Sequence, residues 1–446
     1  MLARRELLGL TLGLGAAAMF SPEPSDASSM TYDQAVQATW EPLQASPRDR
    51  ELVRYATLAA NSHNSQPWIF SVAGNEITIA PDFGRRCSVV DPDDHHLFVS
   101  LGCAAENLCL AAAALGLQAT PALAGDKIII GFEPAPAIRS PLFKAITVRQ
   151  CTRAQYDGRP VSTEALRLLE EAGSEPGLSL IIMTERSKIS NVIDYVLQGN
   201  SAQMRDRAFM DELERWIRFN EAEAVAKMDG LFSRSSGNPS MPRWLARQLM
   251  RMFITEAGEN EKYREQIESS AGVAVFVSDA DDSAHRVAAG RACQRFGLQA
   301  TALGLKYAFI NQPVEVTALR SQFASFLGVG TRRPDLVLRF GAGPELPKSL
   351  RRPRSGSCAR LDQDRGPQGQ VANSRSINAV TKPGIAEVRS PVPRTRWIAE
   401  NSGWRCRARL ASIRARSASP GISTRNIRII AIAAPETTHS QCGLAV

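Results

Sequence analysis

Three short stretches hold side chains whose types and spacing could do chemistry. Asn61-Ser62-His63-Asn64-Ser65-Gln66-Pro67-Trp68 gathers amide side chains, Asn64 and Gln66 among them, ahead of a Pro-Trp step that opens a strand. A side-chain amide offers a donor and an acceptor together, which suits the polar edge of a heterocycle. Arg149-Gln150-Cys151-Thr152-Arg153 sets two arginines four apart, a spacing that lets both converge on a phosphate through charge-assisted bonds. Lys348-Ser349-Leu350-Arg351-Arg352 follows the last strand as a further basic group, and Phe309-Ile310-Asn311-Gln312-Pro313 follows a helix end at Gly304-Leu305. On residue types alone, the arginines read more simply as a solvated face; a polar turn before a strand is the alternative for the amide string.

Other chemistries fit less well. Asp91-Pro92-Asp93-Asp94-His95-His96 is rich in metal-ligand types, but adjacent histidines on a Pro-Asp turn seldom converge on one ion. No GxSxG, HExxH or P-loop string occurs. The glycines between Gly9 and Gly15 belong to an N-terminal apolar run rather than to a dinucleotide fingerprint. The cysteines at 87, 103, 109, 151, 293, 358, 406 and 442 show no CxxC spacing, so neither a zinc site nor a disulfide framework is indicated. Cys103, Cys109 and Cys293 sit in apolar helical patterns, where a thiol behaves as a small hydrophobe.

The elements that must position these residues form two stretches. In the first, Leu52 to Ala60 has helical spacing. Trp68 to Val72 and Ile77 to Ile79 then read as a hairpin around Gly74-Asn75. An alanine-rich helix from Leu97 to Leu115 stops at Gly116, and Lys127 to Ile130 is a short strand. In the second, Thr163 is the expected N-cap of a helix, with buried strands at Leu178–Met183, Gly272–Ser278 and Leu336–Phe340. Residues 187–268 are mostly helical by pattern, broken at Ser233 to Pro239. A repeat links the two: shifted by 188, Gly102 meets Gly290, Ala112 meets Ala300, Leu115 meets Leu303 and Gly116 meets Gly304.

The net charge of +8 is a property of one end. Residues 354–446 carry 14 Arg and 1 Lys against 5 acidic residues, whereas the first 353 residues hold 38 basic and 40 acidic ones. A nearly neutral body with no basic stripe argues against nucleic-acid binding. The tail lacks sustained periodicity and cannot bury enough apolar surface to offset its ordering entropy. It is expected to be disordered, and its Arg-for-Lys bias suggests a GC-rich gene read out of frame; an arm for an anionic partner is the alternative. At the other end, Arg4-Arg5 precede an uncharged stretch of 14 residues from Leu7 to Phe20, with Ala16-Ala17-Ala18 near its close. That arrangement reads as a signal peptide of twin-arginine type and predicts an exported, periplasmic protein. The stretch is too short to span a bilayer, so no stable membrane insertion is expected.

The string from Asn61 to Trp68 resembles the Ser-x-x-Asn-x-Gln-Pro-Trp motif of the nitroreductase family. Arg149 to Arg153, with Tyr156-Asp157-Gly158-Arg159-Pro160, resembles the Arg-x-Ser-x-Arg opening of a nitroreductase subunit, with Cys151 standing where serine is usual. The Lys348–Arg352 cluster is similar to the family's closing one. Asn311-Gln312 stands where the family commonly has a Glu-Gly pair. The resemblance covers residues 48–353. It implies an α+β fold with a mixed sheet, duplicated within one chain as an intramolecular pseudo-dimer. The first lobe would span 30–143 and the second 144–353, with a helical insertion over 195–268. It also implies FMN as cofactor, held by Asn64, Gln66, Arg149, Cys151, Arg153, Asn311, Lys348, Arg351 and Arg352. The implied activity is electron transfer from NAD(P)H to a nitro compound or quinone by a monomer. An FMN-sequestering protein without turnover is the alternative, and a cofactor-free scaffold a third. Amphipathic helices within 205–262 are expected to form a lid over the flavin, with Phe209, Leu213, Trp216 and Ile217 on one face and Trp244, Leu245, Leu249 and Met252 on another.

Overall fold

Thr31 opens the first helix with a reciprocal cap: its hydroxyl accepts from the Gln34 N–H while the Gln34 side chain accepts from the Thr31 N–H. The computed structural model describes residues 30–43 and 46–353, all within one compact unit. The segment expected to be a signal peptide (1–29) and the basic tail (354–446) lie outside the described residues. After α1 (Tyr32–Trp40) and α2 (Arg48–Thr57) comes the predicted hairpin of β1 (Trp68–Ala73) and β2 (Glu76–Pro81), closed at Gly74 with φ +57°. Helix α3 (His95–Ala114) ends as expected, with Gly116 at φ +80°. It leads to β3 (Leu117–Ala124) and β4 (Lys127–Pro134).

Strand β3 was not legible in the sequence. It contains Pro121, which cannot donate to a ladder, and it lies at the sheet edge where that defect is tolerated. After α4 (Pro141–Ala145), helix α5 (Thr163–Ala172) starts one residue earlier than the predicted cap implied. Ser162, not Thr163, caps it, accepting from the Ala165 N–H at 3.2 Å. Strand β5 (Leu178–Met183) follows. The helical segment then comprises α6 (Arg186–Arg205), α7 (Arg207–Trp216), β6 (Ile217–Arg218), α8 (Glu221–Lys227), β7 (Leu231–Phe232), α9 (Arg243–Phe253) and α10 (Glu256–Glu268). The chain finishes with β8 (Gly272–Ser278), α11 (Ser283–Ala302), β9 (Lys306–Phe309), α12 (Gln312–Glu315), α13 (Thr317–Phe326) and β10 (Arg333–Gly341).

Two four-stranded sheets result, in the orders β1-β2-β4-β3 and β5-β8-β10-β9. Each is antiparallel at every named pairing, where a mixed sheet was expected. Parallel pairing is confined to β6 with β7 and to a bridge from Cys151 to Tyr307 beside β9. The two orders match step for step, with α3 joining the second strand to the edge strand in one sheet and α11 doing so in the other. The tight Gly74-Asn75 turn of the first corresponds to the helices α6–α10 of the second. One apolar cluster runs from Trp68, Phe70 and Ile79 through α3 and α11 to Phe276, Leu338 and Phe340. Its centre is the α3–α11 contact, where Gly102 and Gly290 let the two backbones meet.

Candidate functional site

The amide string is held in a conformation that L-residues seldom adopt. His63, Asn64 and Gln66 have φ of 50°, 51° and 55°. Residues in sparsely populated regions cost about 1–3 kcal/mol each and persist only where surrounding bonds over-determine them. Those bonds are present. Asn61 Oδ1 accepts from the Gln66 N–H at 2.8 Å, and Asn64 Nδ2 donates to the carbonyls of Gly230 (3.0 Å) and Leu350 (3.1 Å). Gln66 Nε2 donates to the Met228 carbonyl (2.9 Å), and its Oε1 accepts from the Arg352 N–H (2.9 Å). The string thereby ties the α2–β1 turn to the loop after α8 and to the closing basic cluster. Asn64 Oδ1, though buried, has no hydrogen-bond partner among the described residues.

Asn64 lines a small cavity of about 90 Å³. Arg149, Arg153, Lys348 and Arg351 line it along with Asn64 and Cys151, and no carboxylate is among its lining residues. Arg149 is buried and donates only to neutral groups, the Tyr307 hydroxyl (2.9 Å) and the Leu58 carbonyl (3.0 Å), leaving its Nε without a partner. Arg351 donates to the carbonyls of Thr57 (2.8 Å) and Ala59 (3.2 Å). Burial, and then the charge of Arg149, push its guanidinium down to about 9. Burial also lowers the Lys348 ammonium, which donates to the Thr147 carbonyl at 2.7 Å and stands 4.8 Å from the centre of the Trp40 ring. The Arg153 side chain forms no hydrogen bond or salt bridge among the described residues. Cations desolvated without a counter-charge are costly, and an anion in this cavity would relieve them.

The structure thus brings together Asn64, Arg149, Cys151, Arg153, Lys348 and Arg351 around one cavity. Gln66 and Arg352 are not among its lining residues: fully buried Gln66 spends both ends of its amide on the backbone, and Arg352 Nη2 donates to the Gln66 carbonyl at 2.9 Å. Asn311 lines two adjoining cavities instead, and its Oδ1 accepts from the Val337 N–H at 2.9 Å.

Those two cavities, of about 570 Å³ and about 100 Å³, share His63, Arg153, Leu231 and Phe309 with the basic one. His63 therefore stands at the junction of all three. Burial, then the charges of Arg153 and His96, lower its imidazole to about 4, so it is neutral at pH 7. In the sequence His63 stands out only as part of the amide string, and the sequence carries no sharper sign of it. Glu315 was missed in the sequence; it lines the two larger spaces and accepts from Gln203 Nε2 at 2.7 Å. Burial raises that carboxyl above its ordinary range. No motif marked it.

Phe209, Leu213 and Ile217 of the expected lid face line the 570 Å³ cavity, as does Leu249. The rest of those faces needs correction. Trp216 turns away to pack with Cys87 and Val90, with the Arg85 guanidinium 5.4 Å from its ring. Trp244 and Met252 are exposed, and Ala246 and Met250 line the cavity beside Leu249. The inward side of α9 is rotated from the expected face by about one residue, or roughly 100°.

No protein-family model matches the chain. Among curated proteins it is 26% identical over 319 residues to a protein of Mycobacterium tuberculosis strain H37Rv whose name assigns it as an NAD(P)H nitroreductase; the match covers 68% of this chain and 88% of that one. The counterpart in strain CDC 1551 matches to the same extent. Among solved structures, the FMN-dependent nitroreductase NfnB of Mycobacterium smegmatis in complex with NADPH is 14% identical, covering 50% of this chain and 98% of that one at a TM-score of 0.34. A nitroreductase with bound FMN from Desulfitobacterium hafniense is 14% identical, covering 50% and 100% at a TM-score of 0.30. The curated relatives support the nitroreductase family for this chain.

Proposed function

We propose that the chain is an FMN-dependent oxidoreductase that passes electrons from NAD(P)H to a nitro compound or quinone. The observation that carries this reading is the cavity where Arg149, Arg153, Lys348 and Arg351 meet Asn64 with no carboxylate in the lining. The desolvated cations suit the FMN phosphate, and the unpartnered Asn64 Oδ1 offers an acceptor to a ring N–H. Bound there, FMN would supply two-electron transfer. The protein's own contribution is to fix orientation through the strained Asn61–Gln66 turn and to keep His63 neutral beside Arg153. Spectroscopic titration with FMN tests the reading: a flavin band that saturates supports it, and protein that takes up no FMN overturns it.

The same reading includes an internal duplication, folded as a pseudo-dimer that works as a monomer. Three observations support it. The sheet orders correspond. The α3–α11 contact is reciprocal, Gly102 against Val287 and Gly290 against Val99, pairs related by the 188-residue shift. The Arg295–Glu106 bond (3.0 Å) has its shifted counterpart in Gln294 and Asn107, bonded at 2.7 Å. The two halves differ where a second cofactor would sit. Between α5 and β5 the chain has Gly173-Ser174-Glu175-Pro176-Gly177 instead of an amide string. Arg291 and Arg295 are there neutralised by Glu106 and Glu175. One FMN per chain is the consequence. Export through a twin-arginine signal, proposed from Arg4-Arg5 and the apolar run to Phe20, would carry the folded holoprotein to the periplasm.

A further inference from the structure

The 570 Å³ cavity beside the basic site has two unlike walls. One is apolar, built from Phe209 and Leu213 of α7, Ile217 of β6, and Leu249 and Met250 of α9. The other is polar, with Asn200 and Gln203 of α6 and Tyr263 and Gln266 of α10. Cavities of roughly 300–1,000 Å³ take ligands of several rings or a ring with a long substituent. A single-ring nitro compound would leave most of the apolar wall against water.

We propose that this cavity binds a quinone bearing a long apolar side chain, its ring at the His63–Arg153–Phe309 junction and its chain along the wall of α7 and α9. The proposal rests on the oxidoreductase reading above and narrows its acceptor. Four features of the cavity argue for it. Phe209, Leu213, Ile217, Leu249 and Met250 give it an apolar lining against which a hydrocarbon chain can pack. Met204, Met210, Met241 and Met250 all contribute, and unbranched thioethers adapt to flexible hydrocarbon better than branched side chains do. Ile254 both lines the cavity and is 40% exposed, so the apolar lining reaches the surface past the end of α9 and a chain longer than the cavity has a way out. Gln312 lines the cavity, and its buried Oε1 has no hydrogen-bond partner among the described residues. It is placed to accept an O–H, the group a quinone carbonyl becomes. The overall change balances as quinone plus NAD(P)H plus one proton giving hydroquinone plus NAD(P)+. The nicotinamide loses two electrons, and the two quinone oxygens each gain a hydrogen.

The test compares 2-methyl-1,4-naphthoquinone with its homologue carrying four isoprene units, titrated by calorimetry into the full-chain protein in dilute detergent. The tailed compound should bind about tenfold more tightly or better, as expected when extra apolar surface is buried. Leu249→Trp and Met250→Trp, which fill the apolar side, should each abolish that advantage, with FMN affinity and the unfolding midpoint as controls for folding. Equal affinity for the two quinones, or a tail advantage undiminished in folded forms of both variants, overturns the proposal. The two readings can fail separately. Protein that prefers the tailed quinone yet takes up no FMN keeps the ligand assignment and sinks the oxidoreductase reading. Protein that binds FMN but shows no tail preference does the reverse.

Discussion

Gly102 of α3 and Gly290 of α11 face each other with no room for a side chain on either. A Cβ on Gly102 would stand 2.1 Å from the Val287 carbonyl oxygen, and one on Gly290 would stand 2.0 Å from that of Val99. Backbone oxygens in helices cannot swing aside, so Gly102→Ala or Gly290→Ala must push the helices apart. Alanine is better than glycine in a helix by about 1 kcal/mol, while overpacking a core costs about 1–3 kcal/mol. The steric cost should win, and each variant should lower the denaturant midpoint. Unchanged midpoints for both would mean that the helices do not approach this closely.

Arg153 separates cofactor binding from folding. It lines the basic cavity but forms no hydrogen bond or salt bridge among the described residues, unlike Arg149 and Arg351, which hold the Leu58 carbonyl and its neighbours. A hydrogen bond to a charged group contributes about 1.5–3 kcal/mol, or about 10- to 150-fold in affinity. Arg153→Ala should weaken FMN by that order and leave the melting temperature of the apo-protein unchanged. Arg149→Ala should lower both. Full FMN affinity in Arg153→Ala would remove this residue from the site.

A pH effect is expected from a buried carboxyl beside His95. Asp335 is buried, with Oδ1 3.2 Å from His95 Nε2 and Oδ2 accepting from the Ser278 hydroxyl at 2.7 Å. Burial raises its carboxyl to about 7, against the opposing pull of Ser278, Arg333 and His96. In the unfolded chain the same carboxyl titrates near 3.8. Between those values the unfolded state releases a proton that the folded state keeps, so the stabilisation present in acid is lost as pH rises towards 7. Asp335→Asn cannot ionise, and its stability relative to the parent should therefore improve between pH 4 and pH 8, as followed by urea denaturation. A difference that stays constant with pH would contradict this.

What could be read from the sequence follows from how local its causes are. The β1–β2 hairpin, the stop of α3 at Gly116, and strands β5 and β8 rest on alternation, turn glycines and apolar runs, all short-range signals. Strand β3 was missed because Pro121 argues against a ladder strand, although its pairing with β4 is local, a hairpin closed at Gly125-Asp126. Five of the six predicted residues now around the basic cavity lie in charged or cysteine-bearing stretches, Asn64 being the sixth. Gln66 and Arg352 looked equivalent to them in sequence, but their backbone bonds in the fold set them apart. Glu315 and the inward face of α9 depend on helix phase across a broken segment, which periodicity alone does not fix.

Removing residues 354–446 should not alter stability, because the composition changes at Arg354 and the contacts of Leu350 to Asn64 and of Arg351 to Thr57 lie before it. A chain truncated after Pro353 should melt at the parent's temperature. A large fall in melting temperature would show that the tail packs on the body.

The central claim is a single flavin site assembled from both halves, with the related position sealed by Arg291, Arg295, Glu106 and Glu175. Its most direct test is an FMN titration of the apo-protein, monitored by flavin absorbance and followed by anaerobic addition of NAD(P)H. Binding should saturate at one FMN per chain and the flavin band should then bleach. Saturation at two per chain, or no uptake at all, contradicts the site; uptake at one per chain without bleaching contradicts the oxidoreductase and favours a flavin-sequestering protein.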